Sequence, residues 1–445
     1  MHIKFDTFEE HVLLGSAVKW IILSAVIGLI VGTVTALFVN IINISSAGFS
    51  KSPYYYLFMP FGFFLSSLLI KQFAPEAKGH GTEKAIKAIN EKAGKMDIKA
   101  IPVKLISTFF TIVVGGSVGL EGPATQIGGG IASYFAGFFK MSKTDCKRLV
   151  VCGVSAGFVG VFGSPVGAAV FASEVLYVGR FSYLALLPSL VASFVSYNTG
   201  IYFGTKPLLY SVSYIPSNNV EAFLNIALFG IIVGILGKLF VIMVDNTEKI
   251  FNKIKIFAPL KGIIGGIMIA ALISVFPFKN TLGIGEKTID IAVAGGAVLM
   301  LTFVFKAVLT SITLGCGGSG GILTPMLFIG ACIGNSWAQI IHGNISFYSS
   351  IGMVSFLAAC ANTPLAGIVI AMELFGAKVG IYASIACAIS YLLIGNRSIY
   401  PTQILLASKS PSVICETNCE VQNIHSLKSI NKYKKKLNDV EEIIW

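Results

Sequence analysis

Apolar residues in this chain come in long unbroken runs, and short lysine-rich stretches separate them. The runs lie at 14–42, 53–70, 101–139, 149–177, 222–237, 262–277, 290–341 and 345–394. They are read as membrane-crossing helices, for which about 20 residues suffice, and several are long enough for two passes. Alternation of apolar and polar residues in short segments, the mark of a strand-built barrel, is not the pattern here. The expectation is an all-α polytopic membrane protein. The opening MHIKFDTFEEHVLL mixes charges and precedes a run long enough to stay as a span, so it reads as a cytoplasmic N-terminus, residues 1–13, and not as a secretory leader.

The apolar pattern is also written twice. At 115–123 the chain reads GGSVGLEGP, and 202 positions later GGSGGILTP. At that offset Lys104, Thr108 and Thr111 fall on Lys306, Thr310 and Thr313, and Ile127-Gly128 falls on Ile329-Gly330. A second match, SPVGAAVFASEVL at 164–176 with TPLAGIVIAMELF at 363–375, aligns Glu174 with Glu373 at an offset of 199. The chain is therefore one domain built of two related halves, about 10–195 and 215–395. No linker-like segment divides them.

Each copy of the repeated phrase places a glycine cluster and then a proline at membrane depth, which breaks a helix. Non-helical backbone is tolerated there only where protein or a wet cavity satisfies its polar groups, and matched breaks in two halves point to a transport site. Each helix restarts at Gly122-Pro123 and at Thr324-Pro325, with proline suited to the first turn. Two helix N-termini then aim free N–H groups at one place, which favours an anion. Close helix packing is the competing reading of the glycines, and it suits Gly153-x3-Gly157 and Gly230-x3-Gly234. Glu121 stands in the first break and has no counterpart in the second. A carboxylate at that depth is costly; beside two helix N-termini it can act as a tethered anion that fills the site or leaves it. A fixed capping carboxylate is the plainer alternative.

Charge and composition refine this picture without changing it. The chain is 55% hydrophobic and 12% charged, with net charge +12 and mean hydropathy +0.80. Its lysines gather at 71–104, 238–261 and in the tail at Lys434, Lys435 and Lys436, so they mark cytoplasmic loops and not a nucleic-acid surface. The Lys/Arg-poor stretches 198–221 and 341–349 then face outward. Eight cysteines and five histidines show no metal-ligand spacing, apart from a lone Cys415-x3-Cys419 pair, a weak metal or disulfide signal. No cofactor or metal is expected. TLGIGEKT at 281–288 lacks the ending and the strand context of a phosphate loop, and no clustered catalytic side chains suggest an enzyme.

These motifs resemble the CLC family of chloride channels and chloride/proton antiporters over about 14–405. GLEGP at 119–123 is similar to its gating-glutamate motif, GILTP at 321–325 to its second filter motif, GHG at 79–81 to the start of its first, and IYPTQIL at 399–405 to its late tyrosine segment. The resemblance implies an inverted repeat of many tilted and broken helices. It makes Glu121 the gate. Anion contacts fall on His80, the backbone amides at Leu120, Gly122, Ile322 and Leu323, and the Tyr400 hydroxyl. Hydroxyl and amide donors partly replace an ion's hydration without trapping it. It further implies chloride or a similar monovalent anion as substrate, a lipid setting in a prokaryotic plasma membrane, and a homodimer with one pore per subunit, paired largely through 165–195 and 350–375.

The chain departs from the family pattern at several positions. His80 stands where a serine is common, followed by Thr82-Glu83 in place of Ile-Pro, which leaves fluoride and nitrate open as substrates; a cap on the next helix is the other reading of His80. Leu323 replaces a common phenylalanine, and Leu120 replaces a common basic residue. Proton-coupled members often carry paired glutamates where this chain has Glu174-Val175, and valine carries no proton. That favours a channel or uncoupled transporter over proton antiport, with Glu174 either on a proton path or structural. The polar tail, 406–445, is too short for the paired nucleotide-sensing (CBS) domains of some members.

Overall fold

A computed structural model describes residues 3–206, 210, 212, 214–216, 220–410, 412–424 and 427–429. Among these residues the chain forms sixteen α-helices in two sets of eight. The first set is α1 (Ile3–Phe49), α2 (Met59–Phe73), α3 (Thr82–Glu91), α4 (Ala100–Val113), α5 (Glu121–Phe138), α6 (Lys143–Phe162), α7 (Pro165–Glu174) and α8 (Tyr183–Tyr202). The second set repeats its order: α9 (Val220–Lys253), α10 (Ala258–Val275), α11 (Glu286–Val293), α12 (Thr302–Gly315), α13 (Leu323–Ile340), α14 (Ile345–Ala361), α15 (Pro364–Phe375) and α16 (Ala377–Leu393). The polar segment before residue 14 does not stand apart; it extends α1 from its N-terminal end.

The longest apolar runs are each cut, and the cuts have local causes. The run 149–177 ends α6 at Gly163, in the left-handed region at φ 75°, and Pro165 then opens α7. The same join recurs in the second half, where Asn362 at φ 56° ends α14 and Pro364 opens α15. Only five helical stretches among the described residues are long and apolar enough to cross a membrane outright, including Glu9–Phe49 and Val220–Lys253. The others are shorter or carry polar positions, as expected of a bundle whose middle houses a site.

Each half folds around a glycine-lined helix pair. A Cβ on Gly128 of α5 would lie 2.1 Å from the carbonyl oxygen of Gly153 of α6, and one on Gly330 of α13 would lie 2.3 Å from that of Gly352 of α14. These are backbone contacts that only glycine permits. Gly128 and Gly330 are 202 positions apart, so the close-packing glycines follow the repeat too.

The halves then lock through a swapped pair of caps. Glu174, at the end of α7, accepts the N–H groups of Leu365 at 3.0 Å and Ala366 at 2.8 Å, at the start of α15. Glu373, near the end of α15, accepts Val166 N–H at 2.9 Å and Gly167 N–H at 2.8 Å, at the start of α7, together with the Ser164 hydroxyl. Each carboxylate sits on the positive end of the other helix. Leu184 and Leu187 of α8 and Leu365 and Met372 of α15, in the stretches expected to pair two copies, are exposed apolar side chains.

Part of the tail turns back onto the membrane domain. Strand β1 (Tyr177–Val178) pairs in parallel with β2 (Ile404–Leu405), and β2 pairs antiparallel with β4 (Cys419–Glu420). Strands β3 (Val413–Cys415) and β5 (Leu427–Ser429) form a second small ladder. Cys415 and Cys419 are free thiols. Lys434, Lys435 and Lys436 lie outside the described residues.

Candidate functional site

The two helix breaks meet. Gly119 and Gly321 exchange N–H···O=C bonds, both 2.7 Å long, in an antiparallel pair. The starts of α5 and α13 are thereby held side by side. Helix α5 begins at Glu121 and α13 at Leu323, one residue before each predicted restart, because the first-turn N–H groups need no intrahelical partner and proline fits anywhere among them. Neither N-cap residue supplies a side-chain bond, so the amides at Gly122, Ile322 and Leu323 keep their capacity for another acceptor.

A third segment closes on the same point. A Cβ on Gly122 would fall 1.9 Å from the His80 carbonyl oxygen, and one on Gly81, at φ 87°, would fall 2.2 Å from the Gly122 carbonyl oxygen. A Cβ on Gly321 would fall 2.7 Å from the Gly122 nitrogen. Three stretches of backbone therefore touch where each carries glycine.

Glu121 is 3% exposed. Its carboxylate accepts the hydroxyl of Thr324, which belongs to the other half of the molecule. The backbone N–H groups of Leu120, Glu121 and Thr324 also face it. The carboxylate thus occupies the junction of the two helix starts, bound by donors that have no fixed negative partner of their own. Sequence reasoning missed Thr324, although its position in GILTP and its place opposite Gly122 in the repeat were both readable.

On the other side lie His80 and Tyr400, with ring centroids 6.0 Å apart. Tyr400 is fully buried, and its hydroxyl lacks a hydrogen bond of good geometry, with Thr82 beside it. Thr82 in turn bonds Thr125 at 2.9 Å, and Thr125 donates to the Gly122 carbonyl at 2.8 Å. His80 is 7% exposed and does not cap α3, whose N-cap is Gly81 with no side-chain bond. Glu174 is not part of this cluster; both of its oxygens are engaged at α15.

Beneath the breaks runs a polar belt that obeys the repeat. Thr108 bonds Ser319 at 3.0 Å, and its mate Thr310 bonds Ser117 at 3.1 Å. The N–H of Ser319 reaches Thr111 at 3.0 Å, and the N–H of Ser117 reaches Thr313 at 3.3 Å. Residues matched across the halves are joined across the halves. Buried hydroxyls here satisfy the backbone that the breaks expose.

Two buried lysines do the same work. Lys104 donates to the carbonyls of Ala77 at 3.1 Å and Gly79 at 2.5 Å, and Lys306 to those of Thr281 at 3.1 Å, Gly283 at 2.8 Å and Ile284 at 3.2 Å. Both are fully buried, which corrects the placement of Lys104 among the exposed loop lysines. The segment rejected as a phosphate loop is explained as well: Gly283 and Gly285, at φ 61° and 89°, mirror Gly79 and Gly81, at φ 88° and 87°. GIG is the second copy of GHG, held by the second copy of the lysine.

At the lysine-rich face, outside the spanning helices, Lys92 lies 2.9 Å from Glu76 and holds its carboxyl below the usual carboxylate range. Burial pushes Glu83, on α3, above that range. The two carboxyls differ because one meets a cation in water and the other is folded under the helix.

The family model described as voltage gated chloride channel matches residues 61–395. The chain belongs to the CLC family. A chloride/fluoride channel protein of Pseudomonas syringae pv. tomato is 30% identical over 91% of this chain and 91% of its own. An H(+)/Cl(-) exchange transporter of Klebsiella pneumoniae is 28% identical, covering 80% of each chain. Among solved structures, a CLC-type fluoride/proton antiporter superposes with a TM-score of 0.82 at 27% identity, over 87% of this chain and 98% of its own. A slow cyanobacterial Cl-/H+ antiporter, at 23% identity and a TM-score of 0.77, shares the fold over 86% of this chain and 96% of its own. This CLC protein is thus an integral membrane protein of an anion-transporting family.

Proposed function

We propose that this protein exchanges chloride, or a similarly small monovalent anion, for protons, with Glu121 as the group that both gates the anion and carries the proton. The observation that carries this reading is the Glu121 carboxylate lodged between the two helix starts, bonded to Thr324 of the opposite half. Such a carboxylate competes with a diffusible anion for the same donors. Protonation removes its claim on them and frees the site. An anion that enters then displaces a group that has taken up a proton, which is the minimum needed for exchange.

Burial on both flanks supports exchange over free conduction. Glu121 closes one side, while His80 and Tyr400 pack the other, and each is at least nine-tenths buried. Conduction would need a continuous wet path past both. The channel reading rests on one observation, Val175 in place of an internal carboxylate. Fluoride is the second anion to examine, since two of the relatives above carry it in their names and His80 departs from the usual serine. The bacterial relatives support a prokaryotic plasma membrane as the setting.

The test is to reconstitute the protein in vesicles, impose a chloride gradient and record the pH outside. Exchange predicts uphill proton movement in fixed ratio to chloride, and chloride flux without proton movement would return the protein to the channel reading.

A further inference from the structure

An exchanger needs a way for protons to reach Glu121 from the inner face, and the position where coupled relatives often place a carboxylate is Val175, fully buried. The adjacent Glu174 has both oxygens committed to Leu365 and Ala366. Neither serves. A different pair of titratable groups stands closer to the site.

We propose that Glu83 and His80 form the inner proton relay of this protein. The inference rests on the exchange reading above. His80 Nδ1 is buried with no hydrogen-bond partner, and it lies 3.8 Å from Glu83 Oε2. That gap exceeds the roughly 2.6–3.2 Å over which a positioned base exchanges a proton, and a small side-chain rotation closes it. A buried imidazole nitrogen without a partner is costly in a static role and useful in one that takes up and releases protons.

The pair leads from the lysine-rich face toward the site. The Glu83 side chain is 22% exposed against 9% for His80, and it sits on the face whose lysines mark the cytoplasm. At the inner end, the His80 ring faces Tyr400, and its backbone abuts Gly122, the residue after the gate. The steps balance without any further reactant. A cytoplasmic proton binds the Glu83 carboxylate; the carboxylic acid passes it to His80 Nδ1; the imidazolium releases a proton from its other nitrogen toward the Glu121 carboxylate. His80 is left neutral as its other tautomer and returns by rotating its ring.

The charged neighbours of the pair are of both signs. His80 is faced by Glu83 and Lys84 from the first turn of α3, Lys104 from α4 and Glu248 from α9, with the Tyr400 ring beside it. Glu83 is faced by Lys78, Lys84 and Lys87, and by Glu420 of β4, which also meets Glu91. Lys104 is tied to carbonyls, Lys78 pairs with Glu248 at 4.0 Å and Lys87 with Glu91 at 3.8 Å, and among the described residues no lysine comes within ion-pair distance of Glu83. Burial keeps that carboxyl above the ordinary range, as a proton acceptor at the inner mouth requires.

The test uses the whole protein in vesicles under a chloride gradient, with proton and chloride fluxes recorded together for the native chain, Glu83→Gln, His80→Asn and Glu121→Gln. The relay predicts that the proton-to-chloride ratio falls about tenfold or more in both Glu83→Gln and His80→Asn, the loss expected when a positioned acid–base group is removed. It also predicts that Val175→Glu restores the ratio in the Glu83→Gln background. A native ratio in both single variants, in a protein whose Glu121→Gln form has lost coupling, overturns the relay and leaves the exchange reading standing. A native protein that moves no protons overturns the exchange reading and the relay with it.

Discussion

At the scale of single residues the account turns on one carboxylate and the glycines that let it reach its place. Glu121 can meet Thr324 only because Gly119, Gly122 and Gly321 let three backbones approach within contact, where any Cβ would collide. On the proposed reading the glutamate is a ligand of the site and not a support for it. Glu121→Gln removes its charge while keeping its shape, so native transport should rise as pH falls and the variant should transport at a pH-independent rate. Flux measured across a pH series checks this, and a variant that keeps the native pH profile would mean that another group titrates. The residues that carry the site were readable in unequal measure. Glu121 stood out as a lone charge in an apolar run. Thr324 did not, because a threonine beside a proline is an ordinary helix start until the opposite half is seen against it.

At the scale of elements the repeat explains most of what was legible and most of what was missed. The offset of 202 residues gave the paired breaks, and it also matched the threonines that cross-link the halves and the lysines that each hold a loop of their own half. The GIG segment escaped because its likeness to GHG lies in backbone conformation, four glycines at positive φ, and only two identities survive in sequence. The elements also engage Glu174, whose carboxylate accepts two amides of α15. As one half of a reciprocal cap, it should matter to stability as Glu373 does, since each removes a charge-assisted bond pair from a helix start. Glu174→Gln and Glu373→Gln should each lower stability by about 1–3 kcal/mol, seen as a lower melting temperature in detergent, with the proton-to-chloride ratio unchanged in Glu174→Gln. A stable Glu174→Gln with altered coupling would move that residue from the scaffold to the proton path.

At the scale of the whole molecule the sixteen helices are a device for bringing two helix N-termini to one interior point. Neither half can do so alone: the first supplies the glutamate, the second supplies the threonine that holds it, the belt of hydroxyls satisfies backbone that both breaks expose, and the buried lysines satisfy the GHG and GIG loops. A fold of this size spent on one interior site suits an ion whose hydration must be replaced from several directions at once. The central claim, that the Glu121 carboxylate holds the place of the transported anion, is open to direct view. Crystals of the native protein and of Glu121→Ala grown in bromide should differ at one position. Anomalous scattering should place a bromide in the variant beside Thr324 Oγ1 and the amides of Leu120, where the native protein holds its carboxylate. A variant with that position empty, and bromide bound elsewhere or not at all, would contradict the account.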